Sequence, residues 1–184
     1  MKTLKFIIPT LLFSLFIIGC SGDDDTPEVV NEEEIITSVI ATLVGDTGTV
    51  TLSSRDLDGD GPNPPTVVVS GNLKTNTTYA GSVQFLNETE TPAEDITEEV
   101  EEEAEEHQVF LIPGGGLDVT VTSENSDGNG NPLGTQFTLE TTTVTNGTLN
   151  ITLRHEPKKP NDGTLADAGG ETDVTVTFDV TVEQ

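Results

Sequence analysis

The sequence predicts a mainly β protein: an immunoglobulin-like antiparallel β-sandwich with one short acidic helix, behind an apolar leader that takes no part in the fold. Three observations predict it. Valine, isoleucine and leucine alternate with threonine and aspartate along several stretches, so each strand has one buried and one wet face. Clusters of Gly, Asn and Asp separate these stretches at short intervals, as in a sandwich. A single segment, around Ile96–His107, abandons the alternation for helical spacing.

Met1 to Lys5 is a short basic start, and the apolar run from Phe6 to Ile18 falls short of the ~20 residues of a membrane-spanning helix. It ends Ile17-Ile18-Gly19-Cys20, which resembles the lipobox of bacterial lipoproteins. That resemblance makes residues 1–19 a lipoprotein signal peptide and Cys20 the lipidation site, acylated on its thiol and its new amino group. Each buried methylene contributes ~0.8 kcal/mol, so three acyl chains give lasting attachment to the membrane. Ser21-Gly22-Asp23-Asp24-Asp25 resembles the export signal of Bacteroidetes surface lipoproteins, which implies an outer-membrane, lipid-anchored address on the cell surface. Residues 20–33 read as the lipidated cysteine and an acidic, aperiodic tether, and residues 34–184 as one β-sandwich domain.

Cys20 is the only cysteine, so acylation leaves no disulfide, thiolate nucleophile or cysteine metal site. The chain holds seven Lys and Arg against 33 Asp and Glu; without Lys2 and Lys5 the formal charge is −28. Such a charge repels phosphates, which excludes nucleic acid as a partner and leaves divalent cations and cationic surfaces.

The strands expected in order are 34–43, 48–53, 66–70, 77–87, 108–112, 117–123, 135–144, 147–154 and 172–182. In the last, Val174, Val176, Phe178, Val180 and Val182 take one face, and Asp173, Thr175, Thr177, Asp179 and Thr181 the other. Tyr79, Phe85, Phe110, Phe137 and Phe178 sit within these patterns and are expected in the core. No aromatic platform for sugar stacking remains, which disfavours a carbohydrate-binding module.

The helix has two candidate starts. Thr91 can cap with Pro92 at the first helical position and Glu94 completing a capping box; Asp95 with Glu98 is the alternative one turn later. Ala93, Ile96, Val100, Ala104, His107 and Leu111 then share a sector of about 80°, so the helix is expected to run to near His107. Its glutamates stand in like-charged pairs at four-residue spacing: Glu98/Glu102, Glu99/Glu103, Glu101/Glu105 and Glu102/Glu106. Each pair costs about 0.2–0.5 kcal/mol, a repulsion that a bound cation or a basic neighbour relieves.

His107 lies one turn after Glu103, and the other histidine lies in Leu153-Arg154-His155-Glu156-Pro157. If the fold joins them, His107, His155, Glu103 and Glu156 form a candidate site for Zn2+ or another transition metal. The competing readings are a solvated face paired with Arg154, Lys158 and Lys159, or a disordered run. A second candidate is calcium. Asp56-Leu57-Asp58-Gly59-Asp60-Gly61 offers oxygens at positions 1, 3 and 5 of a calcium loop, from Asp56, Asp58 and Asp60, but the bidentate glutamate of position 12 is replaced by Val67. The alternative is a plain turn. Asp127-Gly128-Asn129-Gly130-Asn131 is expected to be a loop.

DLDGDG, FLNETETPAEDITEEVEEEAEEHQVF, LRHEP and GGETDVTVTFDVTV together resemble small Bacteroidetes surface lipoproteins. Some of these carry the label of type 1 periplasmic-binding-fold proteins, which have two α/β lobes, unlike this β-patterned chain. The resemblance implies an address and a β fold, with no established activity. No nucleophile elbow, zincin helix or P-loop is present, so no enzyme is expected. The functional expectation is a non-catalytic, surface-anchored binding module with a divalent-cation site, serving metal capture or presentation. Its partners would be the membrane and an outer-membrane transporter or other surface protein. The alternative is a structural or adhesion module whose acidic loops are calcium-stiffened or metal-free.

Overall fold

Alternating burial along the strands resolves into two sheets whose apolar faces meet. In the computed structural model, residues 34–184 other than Asp60 are described; the expected signal peptide, the expected lipidation site Cys20 and the expected tether lie outside them, as does Asp60 of the aspartate loop. Chain order is β1 (Ser38–Gly45), β2 (Gly48–Arg55), β3 (Thr66–Val69), β4 (Leu73–Lys74), β5 (Thr78–Asn87), β6 (Glu94–Asp95), α1 (Ile96–Glu102), β7 (His107–Gly114), β8 (Val119–Ser123), β9 (Gln136–Thr141), β10 (Thr145–His155), α2 (Leu165–Ala168) and β11 (Glu171–Glu183).

The larger sheet has the order β3-β2-β1-β5-β9-β8, with β6 paired to β5, and the smaller the order β4-β11-β10-β7. All pairings are antiparallel except β11 with β4. Val39, Ala41, Leu43, Leu52, Phe85 and Leu139 of the first sheet join Leu149, Ile151, Leu153, Phe178, Val180 and Val182 of the second in one buried cluster. This is the sandwich core, and all five expected aromatics are buried in it or beside it.

Each of the nine expected strands has a counterpart, with differences at the ends. β4, β6 and α2 are too short to leave a periodic signature in the sequence. The helix differs more. It starts from the later cap, Asp95, whose Oδ1 accepts the Thr97 N–H at 3.1 Å. It also ends at Glu102, a full turn before His107. Residues Glu103–Glu106 form turns, so the like-charged pairs Glu101/Glu105 and Glu102/Glu106 never complete their helical spacing. Repulsion, acidic side chains at the negative end of the dipole, and the pull of His107 into β7 all favour this early stop. Ile96 and Val100 fasten the short helix to the core.

The caps are separable by mutation. Asp95→Ala should cost about 1 kcal/mol in urea unfolding, while Thr91→Ala should leave the midpoint unchanged.

Candidate metal centre

β10 is the central strand from which the site is built. Leu149, Ile151, Leu153 and His155 form its inward face, and they stand opposite Pro113, Leu111, Val109 and His107 of β7. The two histidines are therefore a directly opposed pair closing one end of the core, as the sequence reading required. Their rings are tilted by 46° with centroids 4.6 Å apart, and their residues are 0% and 3% exposed.

Two carboxylates complete the group: Glu34, His107, His155 and Asp173 each present a donor atom, all within 4.8 Å of one another. Glu34 Oε1 lies 2.9 Å from His107 Nε2, and Oε2 lies 3.9 Å from His155 Nδ1. Asp173 Oδ1 is 3.9 Å from the same Nδ1. Ligand atoms around a tetrahedral ion with bonds of ~2.0–2.1 Å stand roughly 3.3 Å apart, so these separations bracket that geometry. The group can hold a metal ion.

Glu103 and Glu156, the expected carboxylate ligands, are not in the group. Glu103 supplies its backbone instead: its carbonyl lies 3.3 Å from His107 Nδ1. A carbonyl only accepts, so Nδ1 can donate to it, and Nε2 is the nitrogen that faces Glu34. Glu156 turns outward in the left-handed region, with φ 47°, and is exposed. Its neighbour in space, Glu106, approaches His155 Nε2 at 4.0 Å from a solvent-exposed position.

Sequence reasoning missed both carboxylates of this group for definable reasons. Asp173 alternates with the valines of β11 and reads as an outward residue. A register shift interrupts the ladder, however: Leu153 pairs with Val174 and Arg154 with Thr172, which leaves Asp173 as the extra residue of a bulge. The bulge re-aims its carboxylate inward, where the side chain is only 4% exposed. Glu34 reads as the first residue of the expected strand 34–43; it lies instead ahead of β1, with its side chain 5% exposed.

The atoms themselves are undersatisfied. Glu34 Oε2, His107 Nε2 and His155 Nε2 are buried and make no hydrogen bond among the described residues. The 2.9 Å contact of His107 Nε2 with Glu34 Oε1 is thus close without hydrogen-bond alignment. A cation shared by these two atoms, whether a proton or a metal ion, would make that approach an attraction.

Nearby cations serve the scaffold. Lys159 Nζ donates to the carbonyls of Ala104 and His107, both at 2.6 Å, and lies 3.4 Å from Asp127 Oδ2. It thereby caps the turn that follows α1 and fixes the start of β7. Lys158 pairs with Asp167 at 2.8 Å, and Arg154 donates to the Gly170 carbonyl at 3.2 Å. No ion pair joins these three cations to the helix glutamates among the described residues, so the expected salt-bridged face is not formed. Glu99, on the helix, is shifted upward first by its partial burial and then by the charges of Glu34, Glu103 and Glu94.

The aspartate loops differ from the core cluster. Asp58 Oδ2 accepts from Asn63 Nδ2 at 2.7 Å and Asp56 lines the same shallow depression, but neither belongs to a group of metal-competent donors among the described residues. Asp127 holds its own loop, its Oδ1 accepting from the N–H groups of Asn129 and Asn131 at 2.9 and 2.8 Å.

Comparison with protein-family models, characterised proteins and solved structures returned no match to this chain. The resemblance to Bacteroidetes lipoproteins therefore rests on its sequence motifs alone.

The Lys159–Asp127 pair gives a test of the scaffold. Burial alone would raise the Asp127 carboxyl, but hydrogen bonds from Asn131 and Asn129, together with the Lys159 charge, hold it at about 2. A depressed carboxyl stabilises the fold fully above its unfolded value near 4 and stops doing so as pH falls through about 2. Lys159→Met should cost about 3–5 kcal/mol by stranding a buried carboxylate, and adding Asp127→Asn should restore part of it. Chemical denaturation at stepped pH should show the stability gap between wild type and Asp127→Asn narrowing from pH 4 to pH 2.

Proposed function

We propose that this protein is a non-catalytic, lipid-anchored β-sandwich that holds a transition-metal ion, of the zinc class, at the Glu34–His107–His155–Asp173 centre. The observation that carries the reading is the buried, unaligned approach of Glu34 to Nε2 of His107, with a second imidazole and a second carboxylate beside it. Two imidazole donors favour Zn2+, Cu2+ or Ni2+ over Ca2+, which takes oxygen ligands. The four side chains are no more than 5% exposed. Four protein donors in a closed setting match the structural class of zinc site, whereas catalytic sites keep a position for water or substrate. That supports a non-catalytic role.

Cys20 would fix the module to the outer membrane, with the acidic segment after it directing the domain to the cell surface. Capture of a metal ion there, and its presentation to an outer-membrane transporter or other surface protein, is the form of the function that address and charge support. The adhesion alternative draws on one feature, the edge strand β3, where Val67 and Val68 are 46% and 50% exposed. It predicts self-association that is indifferent to metal.

The deciding experiment is zinc titration of metal-free residues 21–184, which contain the whole compact unit Glu33–Gln184. One saturable site per chain is expected. His107→Ala and His155→Ala should each weaken it on the order of 100-fold, while Glu103→Gln and Glu156→Gln leave it unchanged. Zinc at 100 times its Kd should raise stability by about 2.7 kcal/mol. Wild-type protein that binds neither zinc, copper nor nickel rules the centre out.

A further inference from the structure

The four donors differ in how firmly the fold holds them. His107, His155 and Asp173 sit on β7, β10 and β11, three adjacent strands of the smaller sheet. Glu34 does not sit on a strand. It leads into β1 of the opposite sheet, and among the described residues Thr37 is the first to make a backbone hydrogen bond, its N–H donating to the Leu86 carbonyl at 2.9 Å. Between them, Ile35 is 62% exposed.

Thr37 is where this lead-in becomes fixed. Its hydroxyl also donates to the Leu86 carbonyl, at 3.1 Å, and accepts the Glu88 N–H at 2.8 Å, while its carbonyl accepts the Asp56 N–H at 2.8 Å. Residues 34–36 are therefore a short arm hinged at Thr37. Within it the Glu34 carboxylate spans both histidines, Oε1 toward His107 and Oε2 toward His155.

With every donor side chain at most 5% exposed, an ion reaches the centre only if something moves. Opening the smaller sheet would break ladder bonds between β7, β10 and β11. Swinging residues 34–36 breaks none of the backbone hydrogen bonds of the described residues; it lifts Ile36 from the core and takes the Glu34 carboxylate away from both imidazoles.

Resting on the metal reading above, we propose that Glu34 is the gate ligand of this centre: the arm 34–36 opens to admit or release the ion and closes over it by ligation. His107, His155 and Asp173 form the resident half-site. Ligation by Glu34 then ties the lead-in of one sheet to the strands of the other, and metal occupancy sets how tightly the arm is held.

The test uses zinc and residues 21–184, comparing wild type with Glu34→Ala by hydrogen exchange and by zinc transfer to excess chelator. In the wild type, zinc should slow amide exchange at Thr37, Asp56 and Glu88 by about tenfold or more. Glu34→Ala should still bind zinc through the other three ligands, lose that slowing, and release zinc about 10–100-fold faster. Equal slowing in Glu34→Ala, or zinc binding to the wild type with unchanged exchange at Thr37, overturns the gate while leaving the metal centre standing. Failure of the wild type to bind zinc overturns the centre itself.

Discussion

The register between β7 and β10 is the constraint on which the rest depends. His107 stands opposite His155 because Val109 stands opposite Leu153 and Leu111 opposite Ile151. The apolar pairs set that register, since a one-residue slip would carry the whole inward row to the solvent face. The imidazoles are thus placed by hydrophobic burial further along the same two strands. A metal-competent pair arises where the core face runs out of aliphatic residues.

The fold was legible because its signals are local and repeated. Alternation over Leu149–Leu153 or Val174–Val182 reports a half-buried strand wherever its partner lies. The site was only partly legible, because its parts depend on non-local events. His107 is placed inward by the stripe that includes Ile96 and Val100, although the helix expected to run to near His107 ends at Glu102 and His107 opens β7. Asp173 required knowledge of a bulge, which leaves no mark in the alternation of a single strand. Glu34 required knowing how far the lead-in reaches past β1, and an acidic residue at the end of an acidic run carries no such information.

The acidic run shows how charge shapes local structure without making a site. Its glutamates are exposed, and the helix they occupy stops after Glu102. What the run delivers to the centre is mostly backbone: the Glu103 carbonyl meets His107 and the Ala104 carbonyl receives Lys159, while of its carboxylates Glu106 alone comes within 4.0 Å of a histidine nitrogen among the described residues. The same ammonium binds the His107 carbonyl, so one buried cation secures the junction of turn and strand. Its own charge is answered by Asp127, whose carboxylate is already held by the loop it caps. Three separated segments are fastened together at the point where the first histidine must be fixed.

The burial of the four donors explains why a metal ion fits the centre. Carboxylates and imidazoles shut away from water are costly to leave without partners for their polar atoms. A divalent ion set among Glu34, His107, His155 and Asp173 would be such a partner, drawing the Glu34 carboxylate and both imidazoles onto one point. Because Glu34 belongs to the lead-in of one sheet and the other three residues to the opposite sheet, such an ion would also join the two halves of the sandwich.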